Sequence, residues 1–277
     1  MKKGINMGAL PGNLSFDEAF ELIHRAGFDG VELNMEDQPR ADGKISLHTD
    51  CGEAELLAIK ETAEKYKLKI TSFVTGLLWS YPLTSYDKVI RENGKNAVKK
   101  MLDYAVFFGS DTVLVVPGQV NEHIYYDDAY CNAQLALKEL APYAEEKKVY
   151  IGIENVWNKF LLSPLEMRDF TDSIGSEYVG VYFDIGNVLV NSYPEDWIKI
   201  LGSRIKKYHA KGFKTSVGNI TGFTTLLEGD VNWKCVMDEI KKTGYNDFIT
   251  AELGAYKFGP FNLLKETAEA FDMIFKL

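Results

Sequence analysis

Apolar positions along the chain fall into two alternating patterns. Short runs of mostly apolar and β-branched residues read as buried strands. Between them lie longer stretches with apolar residues three or four apart, the period of an amphipathic helix. The first unit pairs a strand at 4–8 with a helix over 15–26, in which Ser15 and Glu18 form a capping box and Gly27 is the stop. Strands at 30–34, 69–75 and 112–116 precede helices at 53–66, about 86–108 and 127–147. The strand at 150–155 leads to a helix opened by Ser163, Pro164 and Glu166, with proline in its first turn. The last three strands, 179–183, 204–208 and 247–253, precede helices at 194–201, 231–242 and 262–275. A glycine- and threonine-rich loop, 211–229, separates the seventh strand from its helix.

Eight strands thus alternate with eight helices, and no linker or composition shift divides them. Alternation of this kind predicts a parallel sheet, and eight units in 277 residues predict one closed (β/α)8 barrel domain over 1–277. The active end of such a barrel is the one where the strands finish.

Four successive strands finish on a chemically unusual residue. The fifth ends on Glu154, the sixth runs into Asp184, the seventh into His209 and the eighth into Glu252. An ionised carboxylate at the end of a buried strand is costly unless something pairs with it. Neighbouring barrel strands lie about 4.8 Å apart, so four such side chains can converge on one ion. Two glutamates, an aspartate and a histidine form a hard, oxygen-rich donor set. It suits one divalent ion, manganese first, with magnesium, cobalt or zinc as alternatives. Any one of the acids, taken alone, reads more readily as a salt-bridged or capping strand end. Their recurrence on strands five to eight is what favours a site.

Composition narrows the partners. A net charge of −9 argues against a general nucleic-acid or anionic-membrane surface. There is no long apolar span and no signal-peptide pattern at the first residues, which leaves a cytoplasmic protein as the expectation. Cys51, Cys131 and Cys235 are odd in number and far apart in sequence, which suits a reducing compartment and packing roles.

Five segments carry a family resemblance: Gly-Phe-Asp-Gly-Val-Glu-Leu (27–33), Ile-Glu-Asn (153–155), Phe-Asp-Ile-Gly-Asn (183–187), His-Ala-Lys-Gly-Phe-Lys (209–214) and Ala-Glu-Leu (251–253). In this order the chain resembles the xylose-isomerase-like TIM-barrel superfamily of sugar-phosphate isomerases and epimerases. The resemblance implies that Glu154, Asp184, His209 and Glu252 bind one divalent metal and that the two glutamates also move protons at the substrate carbon. It departs from free-ketose 3-epimerases in three places. Phe160 stands where they carry a second glutamate, Thr215 where they carry an arginine, and Asn187 where many relatives carry a histidine. The usual His-x-His before the loop is Lys207-x-His209. DNA-repair members of the superfamily build a three-metal site from many histidines. With only His24, His48, His123 and His209, this chain does not follow that branch.

Further substrate contacts are expected from strand ends and the loop after strand seven. Asn6, Glu32 and Asn34 have inward parity and suit sugar hydroxyls or structural pairing. Asn155 and Asn187 directly follow the ligand motifs. Lys207 shares the parity of His209, and Lys211 and Lys214 lie beside a glycine-rich loop that suits a phosphate or sugar oxygen. Trp79, Trp157 and Phe160 suit pocket walls or apolar packing.

Together these features predict a metal-dependent isomerase or 3-epimerase of a ketose or ketose phosphate, acting through an enediolate. Dehydration of a keto-polyol (an inosose-type lyase reaction) is the nearest alternative. A phosphodiester hydrolase or a non-catalytic sugar-binding barrel is the more distant one. The expected partner is a small sugar or sugar phosphate, with homo-oligomerisation left open.

Overall fold

Local sequence signals set most element boundaries. The Ser15 hydroxyl accepts the Glu18 N–H (3.3 Å), and the Glu18 carboxylate accepts the Ser15 N–H (2.7 Å), so the first helix starts where the capping box requires. It ends at Gly27, whose φ of 90° lies in the left-handed region that glycine adopts without strain. Ser163 caps the helix after the fifth strand through the Glu166 N–H (3.2 Å), with Pro164 as its first residue.

The computed structural model describes residues 1–277. In chain order its elements are β1 (Lys2–Asn6), α1 (Phe16–Ala26), β2 (Gly30–Met35), α2 (Glu53–Lys65), β3 (Lys69–Thr75), α3 (Leu77–Ser80), α4 (Lys88–Phe108) and β4 (Thr112–Val115). There follow α5 (Tyr126–Lys147), β5 (Tyr150–Glu154), α6 (Pro164–Ile174), β6 (Val179–Asp184), α7 (Pro194–Leu201) and β7 (Ile205–Ala210). The chain closes with β8 (Gly212–Phe213), β9 (Phe223–Thr224), α8 (Trp233–Lys242), β10 (Phe248–Ala251) and α9 (Pro260–Ile274). Eight strands form a closed parallel barrel in the order β1-β10-β7-β6-β5-β4-β3-β2, as the alternation predicts. Buried on both faces, its strands read as near-continuous apolar runs, as in Val179–Asp184, where every residue is buried.

By contact density the chain falls into two units. One comprises Met1–Thr71, Ile185–Glu195 and Tyr208–Leu277; the other comprises Ser72–Asp184 and Asp196–Lys207. The first contains the β1–β2 and β1–β10 pairings. Asn6 lies opposite Glu32, and in the β10–β7 pairing Thr250 lies opposite His209. The second contains β4–β5 and β5–β6, in which Glu154 lies opposite Tyr182. Gly152 faces Tyr182 so closely that a β-carbon there would sit 2.9 Å from the tyrosine Cβ. On the outer side Phe183 stacks on Trp197 of α7, ring centroids 5.9 Å apart.

Several boundaries differ from the sequence expectation. β1 ends at Asn6 rather than residue 8, because the Asn6 carboxamide accepts the Gly8 N–H (2.7 Å) and turns the chain into a 3-10 segment over Met7–Ala9. α3 is an additional turn of helix inside the expected loop. The 211–229 segment is partly ordered by the antiparallel pair β8–β9. β10 stops at Ala251, so Glu252 lies one residue past the strand, held by its N–H donating to the Ala210 carbonyl (3.1 Å).

Candidate active site

Each of the four sequence-predicted metal ligands lies within one residue of the C-terminal end of a strand. Glu154 is the final residue of β5 and is 6 % exposed; Asp184 is the final residue of β6 and fully buried. Between them Asn155 acts as a staple. Its amide donates to the Asp184 carbonyl and its carbonyl accepts the Asp184 N–H, both at 2.8 Å. Asn155, expected as a substrate or supporting contact, thus fixes the backbone of a ligand. His209 is fully buried on β7, and the Ile185 N–H donates to its carbonyl (3.0 Å). One donor atom from each of Glu154, Asp184, His209 and Glu252 lies within 4.8 Å of the others.

The imidazole of His209 is oriented from β2. Its Nε2 lies 2.8 Å from Glu32 Oε1, and both side chains are fully buried. Asn6 Nδ2 donates to the same carboxylate oxygen at 2.7 Å and to Asn34 Oδ1 at 3.1 Å. The other ring nitrogen, Nδ1, faces Glu252, 3.7 Å from its Oε2. Asn6 and Glu32, expected at sugar hydroxyls or as structural partners, are bound to each other, and Glu32 also to His209. Parity put Glu32 inside the barrel. Ring closure put the histidine beside it.

Glu252 is the most accessible of the set, its side chain one-third exposed. The Lys211 ammonium contacts Glu252 Oε2 and lies over the Phe223 ring, 5.0 Å from its centroid. Lys211 can pass there because Gly186 has no side chain: a β-carbon would come within 2.7 Å of the Lys211 carbonyl oxygen. Burial pushes the Glu252 carboxyl up, but neighbouring positive charge, the Lys211 ammonium first, holds the group below the usual glutamate value.

The remaining candidates separate. Asn187 is buried at the start of the short 3-10 turn that follows β6. Lys214 pairs with Glu228 in the same loop, at a more exposed position than Lys211. Lys207 does not serve the mouth of the barrel. It is 2 % exposed, and its ammonium lies 3.0 Å from Asp111 Oδ1, in the residue just before β4 begins. Its inward parity was legible, but its long stem runs toward the end where strands start. Phe160 is not a pocket wall either. It is buried against Tyr126, Tyr130 and Phe170, with centroids 5.6, 6.3 and 5.8 Å away. Asn158, which sequence reasoning passed over, ties this loop to the one after β4, donating to the Gly118 carbonyl (2.6 Å).

The donor set fits a divalent cation. Three carboxylates gathered this closely repel one another unless a cation is shared among them. Oxygen donors with one imidazole suit manganese, magnesium, cobalt or zinc. A second group, His48, Cys51 and Glu55, also brings donor atoms within 4.8 Å of one another. There the Asp50 N–H donates to His48 Nδ1 (3.3 Å), so the neutral ring carries its proton on Nε2, which faces Glu55 at 3.6 Å. Cys51 Sγ lies 3.2 Å from the Ser46 carbonyl, and the Glu55 carboxylate caps the start of α2 at the Gly52 N–H (2.9 Å). These bonds account for that group as a helix start.

Comparison with known proteins agrees with this architecture. The chain is 23 % identical over 261 residues to a putative L-ribulose-5-phosphate 3-epimerase, SgbU, of Haemophilus influenzae, covering 92 % of this chain and 90 % of the relative. It is 23 % identical over 242 residues to the L-ribulose-5-phosphate 3-epimerase UlaE of Salmonella typhimurium, covering 87 % and 83 %. Among solved structures, a D-psicose 3-epimerase determined with D-fructose superposes with a TM-score of 0.80 at 17 % identity, covering 99 % of both chains. The IolI protein with a bound zinc atom superposes with a TM-score of 0.82 at 17 % identity, covering 100 % and 98 %. The family description "Xylose isomerase-like TIM barrel" matches residues 20–277, and the chain belongs to that family.

Proposed function

We propose that this chain is a divalent-metal-dependent 3-epimerase of a ketose or ketose phosphate. The observation that carries this reading is the convergence of Glu154, Asp184, His209 and Glu252 at the ends of four adjacent strands. The names of the relatives point to the same chemistry.

A divalent ion held by these four residues would polarise the substrate carbonyl and steady the charge of the enediolate. The chain itself supplies the proton transfers. In the ring order β10-β7-β6-β5, Glu252 and Glu154 are the two outer members of the set, with His209 and Asp184 between them. One glutamate removes the C3 proton, and the C–H electron pair moves into the enediolate. The other glutamate returns a proton to C3 from the opposite face. A carboxylate has two oxygens, so each can bind metal through one and handle a proton with the other. The two glutamates exchange protonation states, and no redox partner is needed. Lys211, seated on Glu252, is the loop cation nearest this chemistry and suits a substrate oxygen or phosphate. The free state of Cys51, Cys131 and Cys235 suits a cytoplasmic enzyme. No helix is long and apolar enough to cross a membrane.

The test is a panel of ketoses, ketose phosphates and keto-inositols incubated with protein and Mn²⁺ in D₂O and followed by NMR. The reading expects inversion at C3 with deuterium incorporated there. Loss of water from a keto-inositol without C3 inversion of any ketose would replace it with the lyase reaction.

A further inference from the structure

We infer that Glu32 is a positioning residue. It fixes the tautomer and direction of His209 and thereby sets the affinity of the site for its metal. This deepens the proposed function and rests on its metal-binding reading.

The inference follows from a chain of hydrogen bonds whose direction is determined at its far end. The Gly8 N–H donates to Asn6 Oδ1 at 2.7 Å, which fixes which end of the Asn6 amide is oxygen. The Asn6 NH₂ must then face Glu32, where it donates to Oε1 at 2.7 Å. That oxygen is an acceptor, and the atom it shares on its other side is His209 Nε2, at 2.8 Å. Nε2 therefore carries the proton, and the lone pair of the neutral ring lies on Nδ1. Nδ1 is the nitrogen that faces Glu252, a second member of the donor set, 3.7 Å from its Oε2. A histidine that ligates a metal through one nitrogen and donates the other N–H to a carboxylate is both aimed and made more basic. Glu32 is fully buried and its Oε1 already serves two donors, so binding a sugar hydroxyl does not explain it. The Glu32–His209 contact joins residues 177 apart in sequence.

The test is Mn²⁺ titration followed by the EPR signal of the free ion, on wild type, Glu32→Gln and Asn6→Ala, with KM for the ketose measured at saturating Mn²⁺. Glu32→Gln keeps the shape but loses the charge, and should weaken Mn²⁺ binding by about 10- to 100-fold. KM at saturating metal should stay at the wild-type value, as expected of a residue that touches no substrate. Asn6→Ala should weaken Mn²⁺ binding by less, and it carries the test if Glu32→Gln does not fold by circular dichroism. Wild-type Mn²⁺ affinity in the folded variants, or a raised KM with unchanged affinity, would overturn the positioning role while leaving the metal site intact. A wild-type protein that binds no Mn²⁺, Co²⁺ or Zn²⁺ would overturn the proposed function and this inference with it.

Discussion

His209 and His48 each sit beside a glutamate and a further potential ligand, yet the surrounding hydrogen bonds orient them oppositely. At His209 the carboxylate of Glu32 takes the Nε2–H, leaving Nδ1 facing Glu252. At His48 a backbone N–H occupies Nδ1, so the proton on Nε2 is directed at Glu55. Proximity of donors is common to both groups. What differs is where the lone pair points, and that depends on a carboxylate in one case and a main-chain amide in the other. A cluster becomes a credible metal centre when the atom facing its neighbours is an acceptor.

The largest effects belong to the barrel mouth. Asp184→Asn and His209→Ala should each weaken binding of the divalent ion by more than about 100-fold, beyond the loss expected for a supporting residue, and abolish turnover. Metal analysis after gel filtration checks this. Because Asp184→Asn removes one of three mutually repelling carboxylates, the melting temperature of the metal-free protein should hold or rise. Unchanged metal content in both variants would remove the site.

A second effect separates the two glutamates. Glu154→Gln and Glu252→Gln should each stop net epimerisation, because inversion needs an acid and a base on opposite faces. At least one should still exchange deuterium from D₂O into one epimer, since a single surviving base suffices for that half of the cycle. Near-normal turnover in both variants would make the glutamates ligands only.

The smallest effect belongs to the other histidine. Cys51→Ser and His48→Gln should leave the metal stoichiometry unchanged and cost about 1 kcal/mol of stability, as for a disturbed buried hydrogen bond. Thermal melts and elemental analysis read both quantities. Loss of a metal equivalent in either variant would show that the helix start also holds an ion.

The sequence by itself determined the repeating strand–helix units and their count, because apolar periodicity and capping residues act within a few positions of one another. It also determined that Glu154, Asp184, His209 and Glu252 lie at strand ends on the active side, since strand polarity follows chain direction in a parallel barrel. Only the tertiary structure decided the partners. Glu32 and Lys207 both had inward parity, but parity states a face and not a neighbour. Closing the ring set Glu32 against His209, and the length of the lysine stem carried Lys207 to Asp111 at the opposite end of the strands. Lys211 and Lys214 looked equivalent in the loop, until the missing side chain of Gly186 let one of them reach Glu252 and left the other on Glu228. Such pairings depend on distances between segments far apart in sequence, and no local pattern encodes them.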